Sequence, residues 1–186
     1  MGGASADVQD RRRWLGEVSE QLPVEDENSH LPLARGVRTL DEGSAEVRPA
    51  LKGVHHVSIT VSDVEASAAW YETVFRTQRL PMTFPHHGAE ESGYAVLLIE
   101  PTTGFAFGLH HNAANTGDPA DERITGLDHL SMAVAERSEL DSWADWLTHQ
   151  GVAHSGVNEV AEPMPYSTLV FRDPDNIQLE VIHLPG

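Results

Sequence analysis

The 186-residue sequence contains no cysteine. That absence removes disulfides, thiolate nucleophiles and sulfur-ligated metal centres, so any metal must be held by histidine nitrogen and carboxylate oxygen. Positive charge is scarce: 12 Lys and Arg stand against 29 Asp and Glu, a formal net charge of −17. Such an excess repels phosphate backbones and anionic lipid, so neither nucleic acid nor a membrane surface is expected as a partner. No apolar run approaches the roughly 20 residues of a membrane span. The opening residues lack the basic and apolar regions of a secretory signal, and Ala6 stands where myristoylation after Gly2 requires Ser or Thr. A cytoplasmic location is therefore expected. What the chain does have is histidine, 11 residues in an acidic background.

Residues 1–50 read as an accessory arm. Val8, Leu15, Val18 and Leu22 fall near one face of a helix predicted over 5–22. Polar stretches broken by Pro or Gly follow at 23–32 and 40–49. The arm holds six basic and ten acidic residues, which suits packing on a domain or partner subunit better than binding nucleic acid.

From Leu51 the pattern changes. Val57, Ile59 and Val61 alternate with His56, Ser58 and Thr60, the signature of a half-buried strand. Asp63 is placed to cap a helix running through Ala66, Ala69, Trp70, Val74 and Phe75. Strands are predicted near 79–84, 93–100 and 104–111. The same order then recurs. Gly53 to Val61 lies over Gly126 to Val134 at an offset of 73, which also carries Trp70 onto Trp143. At an offset of 72, Ile99 to Leu109 lies over Phe171 to Val181 and Gly108 falls on Glu180. The repeat predicts an α+β domain over 51–186 built from two tandem βαβββ modules, 51–112 and 126–186. Together they would form an open, cup-like β-barrel with helices outside.

The polar strand faces carry the candidate chemistry. The first strand offers His56, Ser58 and Thr60, the fifth His129, Ser131 and Ala133, and the last Gln178, Glu180 and Ile182. A lone strand histidine is usually a solvated side chain. His56 and His129, however, occupy equivalent repeat positions, and Glu180 puts a solitary charge into the apolar run 179–182, where it needs a partner. If the polar faces converge, two imidazoles and a carboxylate form a facial metal triad with open positions for substrate, water or dioxygen.

The chain from 53 onward resembles the vicinal oxygen chelate superfamily of glyoxalases, bleomycin resistance proteins and extradiol dioxygenases. The resemblance rests on His55-His56-Val-Ser-Ile-Thr-Val-Ser-Asp63, Trp70-Tyr71, Asp128-His129-Leu-Ser131 and Phe171-Arg-Asp-Pro-Asp-Asn-Ile-Gln-Leu-Glu180. It implies His56, His129 and Glu180 as metal ligands. Glyoxalases and epimerases of this kind take a fourth ligand where this chain has Gly108, so the resemblance implies dioxygenase-type chemistry with Fe(II) or Mn(II). The alternatives are a glyoxalase-like lyase or isomerase with Ni(II) or Zn(II), and a non-catalytic binding protein. His110, on the face of Gly108, and Tyr166, near the final hairpin, are candidate acid–base residues. Phe171 and Arg172 stand where ring-cleaving dioxygenases place a Tyr. His86-His87 is read as an exposed loop pair, with a place at the cavity mouth as the alternative, His111 as a polar strand end, and Met82, Phe84 and Met164 as wall residues. The expected partners are a small-molecule substrate and a second copy in a homodimer. Whether the modules pair within a chain or exchange between chains is left open by the sequence.

Overall fold

The computed structural model describes residues 49–86 and 91–185. The helix expected over 5–22, the rest of the arm to residue 48, and His87 lie outside them. Module one runs β1 (His56–Thr60), α1 (Val64–Phe75), β2 (Gln78–Pro85), β3 (Gly93–Ile99) and β4 (Ala106–Asn112). Module two repeats the order as β5 (His129–Ala133), α2 (Arg137–His149), β6 (His154–Val160), β7 (Tyr166–Arg172) and β8 (Gln178–His183). Each module is a four-stranded sheet, ordered β1-β4-β3-β2 in the first and β5-β8-β7-β6 in the second. The fold is the α+β repeat expected from the sequence, and neither sheet closes into a barrel within the chain.

The period-two pattern sets each sheet's two faces. In module one, Val96, Leu98, Phe107 and Leu109 point to the helix side and are buried. The parallel register of β1 on β4 puts His56, Ser58, Thr60, Ala106, Gly108 and His110 on the opposite face. Helix α1 buries Val64, Ala68, Tyr71, Val74 and Phe75, which recur at helical spacing. Its N-terminus is capped by Asp63, whose Oδ1 accepts from the N–H groups of Glu65 and Ala66, both at 3.0 Å. It stops at Arg76, which takes the left-handed conformation at φ 54°.

The modules meet through their helix sides. The Phe75 ring packs on Trp143 and Phe171 of module two, at centroid distances of 5.9 and 6.1 Å. Trp146 Nε1 donates to the Val74 carbonyl at 2.9 Å. The turn at 173–176 reaches across from module two to α1. Asp175 Oδ1 accepts from the Ser62 N–H at 2.8 Å and its Oδ2 from Ser67 Oγ at 3.1 Å. Asp173 Oδ2 accepts from the Tyr71 hydroxyl at 3.0 Å, while its Oδ1 takes the N–H groups of Asp175 and Ile177. Both carboxylates and Tyr71 are buried. Burial pushes the Asp173 carboxyl above its usual range, and burial beside Asp173 and Asp175 pushes the Tyr71 phenol far upward.

Removing the phenol leaves a buried carboxylate oxygen short of a donor. Tyr71→Phe is therefore expected to cost about 1–3 kcal/mol in chemical denaturation. Because the folded pKa of Asp173 is raised, its contribution is fully present below the ordinary carboxylate value of about 4 and is lost as pH rises through the folded value. Asp173→Asn should flatten that fall in a pH series of denaturation midpoints.

Candidate functional site

The polar face of module two assembles around β5 and β8. Ser131 and Glu180 are register partners, with His129 one pair along, beside Gln178. His129 Nδ1 lies 2.6 Å from Asp128 Oδ1, so the ring donates to the carboxylate through Nδ1 and turns Nε2 toward Glu180. Nε2 stands 4.0 Å from Glu180 Oε1. Glu180 is held by two hydroxyls: Ser131 Oγ donates to Oε1 and Thr168 Oγ1 to Oε2, each at 2.6 Å. The Glu180 side chain is 14% exposed and that of His129 40%, so the pair sits at the floor of an open face. Two ligand atoms bound to one cation lie roughly 3 to 4 Å apart, and this N/O pair fits such an ion with little movement.

Module one supplies a different half. His56 is exposed on β1, and its Nδ1 lies 2.7 Å from Nδ1 of His55, one of which carries the proton. His55 lies over Asp128 at the repeat offset of 73, so in both modules the residue before the strand histidine engages its Nδ1. Burial pushes the His55 ring's pKa down, with His56 adding to the shift. Further along the same face, His110 packs edge-on against His86 at 5.2 Å between centroids. Burial first, then the His86 and His56 imidazoles, push the His110 pKa down. His86 Nδ1 is buried without a hydrogen-bond partner among the described residues. Phe84 joins this face opposite Ala95 of β3. His111 turns to the other face, beside the Tyr94 ring at 5.2 Å.

Within one chain the three candidate ligands are not brought together. No hydrogen bond or ion pair joins His56 to His129 or Glu180, and among the described residues no three His, Asp or Glu side chains group closely enough to hold a metal. The reason is the common core: with both helix sides facing inward, the polar faces of β1 and β5 stay exposed. A cleft of about 400 Å³ beside β1 is lined by Ser58, Thr60, Asp128 and Gln178 but by none of the three candidate ligands. Tyr166 is half-buried on the face of Thr168, two residues from it along β7. Sequence reasoning assigned no role to His55, Asp128 or Thr168. The first two were detectable as polar residues in the same repeat position, whereas Thr168 carried no such signal.

The family model of the Glyoxalase/Bleomycin resistance protein/Dioxygenase superfamily matches residues 53–181. The chain belongs to this superfamily. A glyoxylase/bleomycin resistance protein/dioxygenase domain from Frankia sp. EAN1pec is 30% identical, with a TM-score of 0.62 over 73% of this chain and 100% of that one. A glyoxalase family protein from Enterococcus faecalis is 21% identical with a TM-score of 0.55, covering 70% of this chain and 97% of that one. The genomically encoded fosfomycin resistance protein FosX from Listeria monocytogenes shares the fold at 13% identity and a TM-score of 0.52, covering 73% of this chain and 96% of that one. A FosX variant has been crystallised with Mn(II) and 1S,2S-dihydroxypropylphosphonic acid. No curated protein matches the chain.

The seat of His86 depends on Gly93 in this superfamily member. A Cβ at 93 would lie 2.7 Å from His86 Nδ1 and 2.9 Å from the His111 carbonyl. Gly93→Ala is expected to drive His86 out and to shift the ring resonances of His110 in a histidine-labelled NMR spectrum, leaving those of His129 in place.

Proposed function

We propose that this protein is a metal-dependent enzyme acting on a small substrate chelated through adjacent oxygens, of dioxygenase type, whose site is completed between two copies of the chain. The observation that carries the reading is the preset donor pair of module two: His129 with Nδ1 tied to Asp128, and Glu180 clamped by two hydroxyls, 4.0 Å apart. A bare strand carboxylate and a solvated histidine need no such support, whereas metal ligands routinely have it. His56 would be the third ligand, its Nδ1 engaged by His55 as Asp128 engages that of His129.

Within the chain His56 is not grouped with His129 and Glu180, while the polar strands β1 and β5 are both exposed. In a two-fold dimer, module one of each copy would cover module two of the other and build two identical sites. Fe(II) or Mn(II) suits the N/N/O set, and the ion supplies Lewis-acid polarisation of the bound oxygens. The missing fourth ligand at Gly108 favours an open coordination side over the glyoxalase arrangement with Ni(II) or Zn(II). His110, neutral through burial and its imidazole neighbours, accepts a proton at a ring nitrogen from a substrate hydroxyl. The Tyr166 phenol orients the substrate from the module-two side.

The test is elemental analysis of chain purified without chelator and reconstituted with each of the four ions. About one metal per chain is expected, with His129→Ala and Glu180→Ala losing it. His56→Ala should lose it as well. A co-refolded equal mixture of His56→Ala and Glu180→Ala chains should recover about a quarter of the wild-type metal, since random pairing makes half the dimers mixed and each mixed dimer rebuilds one of its two sites. Metal in the wild type with none in the mixture would place the site within one chain. No metal with any ion would leave a ligand-binding protein in place of an enzyme.

A further inference from the structure

The internal repeat makes module two a template for module one, and the two differ at one pair. In module two the register partners are Ser131 and Glu180, and the serine hydroxyl donates to the carboxylate at 2.6 Å. In module one the register partners at the equivalent position are Ser58 and Gly108. A Cβ built on Gly108 would meet Ser58 Oγ at 2.6 Å and Ser58 Cβ at 3.4 Å. The hydroxyl therefore stands over the space into which a carboxylate at 108 would rise. The serine that clamps the acid is retained, while the acid is gone.

Among the described residues the Ser58 hydroxyl has no hydrogen-bond partner, and Ser58 is exposed on the polar face. An unpartnered donor beside the space left at Gly108 favours a ligand that brings an anionic oxygen into that space. We propose that Ser58 is a substrate-positioning residue: its hydroxyl donates to a substrate oxygen that takes the place of the carboxylate absent at Gly108. Gly108 is then a specificity determinant, since it leaves that place free. The oxygen carries negative charge when bound, as in a catecholate or a hydroxamate. His110 lies two residues beyond on the same face and would receive the proton that such a ligand gives up. This inference rests on the metal reading above.

The probe is acetohydroxamate, titrated into the full-length chain loaded with Co(II) and followed by the visible bands of the ion. Ser58→Ala should keep the Co(II) stoichiometry and weaken acetohydroxamate binding by about three- to tenfold, the effect of one hydrogen bond of ordinary strength. Ser58→Thr, which keeps the hydroxyl, should bind the probe much as wild type does. Combining Ser58→Ala with Gly108→Glu, which removes the obstructing hydroxyl and restores the carboxylate, should tighten Co(II) and abolish the response to the probe. Co(II) binding with a probe affinity indifferent to Ser58→Ala would overturn this inference alone. A wild-type chain that takes up no Co(II) would overturn it together with the metal reading.

Discussion

The turn Asp173-Pro174-Asp175 presents two buried carboxylates to helix α1, and the placement of everything else follows from how they are satisfied. An ionised group taken out of water costs several kcal/mol unless its oxygens find donors. Here Ser62, Ser67 and Tyr71 supply them across the module boundary. Each donor fits only one position of the turn, so the contact is directional in a way that the Phe75, Trp143 and Phe171 cluster beside it is not. Aromatic packing would tolerate a small rotation of one module on the other, whereas three hydrogen bonds to two buried acids would not. The join fixes the helix sides inward, and the polar strand faces are thereby fixed outward.

Much of this was legible in the sequence because period and repetition are local properties. Alternation at 56–61 assigned the strand's faces, Asp63 assigned the start of α1, and the offsets of 73 and 72 identified the modules and the equivalence of His56 with His129. What alternation cannot convey is the object each face meets. The sequence leaves open whether the polar faces meet within a chain; in the structure both line one cleft, yet His56 is not grouped with His129 and Glu180. The Asp173 carboxyl reads as an ordinary turn residue because a buried acid and a solvated one are written with the same letter. His86 reads as an exposed loop residue, whereas the structure half-buries it. Its contact with His110 depends on the space left by Gly93, 17 residues from His110, and no short-range pattern reports such a clearance.

The two modules share a scaffold but divide the polar chemistry unequally. The register places Ala106, Gly108 and His110 on the polar face of β4, against Gln178, Glu180 and Ile182 on that of β8. The exchange of Glu180 for Gly108 and of Ile182 for His110 moves the carboxylate to one module and the extra imidazole to the other. Residues facing the helices differ in size but stay apolar, Phe107 against Leu179 and Leu109 against Val181, as a packed core requires. On the uncovered faces of β4 and β8 the change is instead one of chemical type.

That division also bears on which faces can pair. The polar face of module one presents His56, His86 and His110, and no acid stands at its paired positions. Module two presents Glu180, with Asp128 at its edge. In a chain of formal charge −17, two copies repel at long range, and a contact between like modules would either bring carboxylate to carboxylate or leave the imidazoles without an acid. Unlike modules would set the histidine-rich face against the face that holds Glu180, the pairing the proposed site requires. On the proposed reading, the asymmetry that divides the ligands between the modules would also set which faces pair.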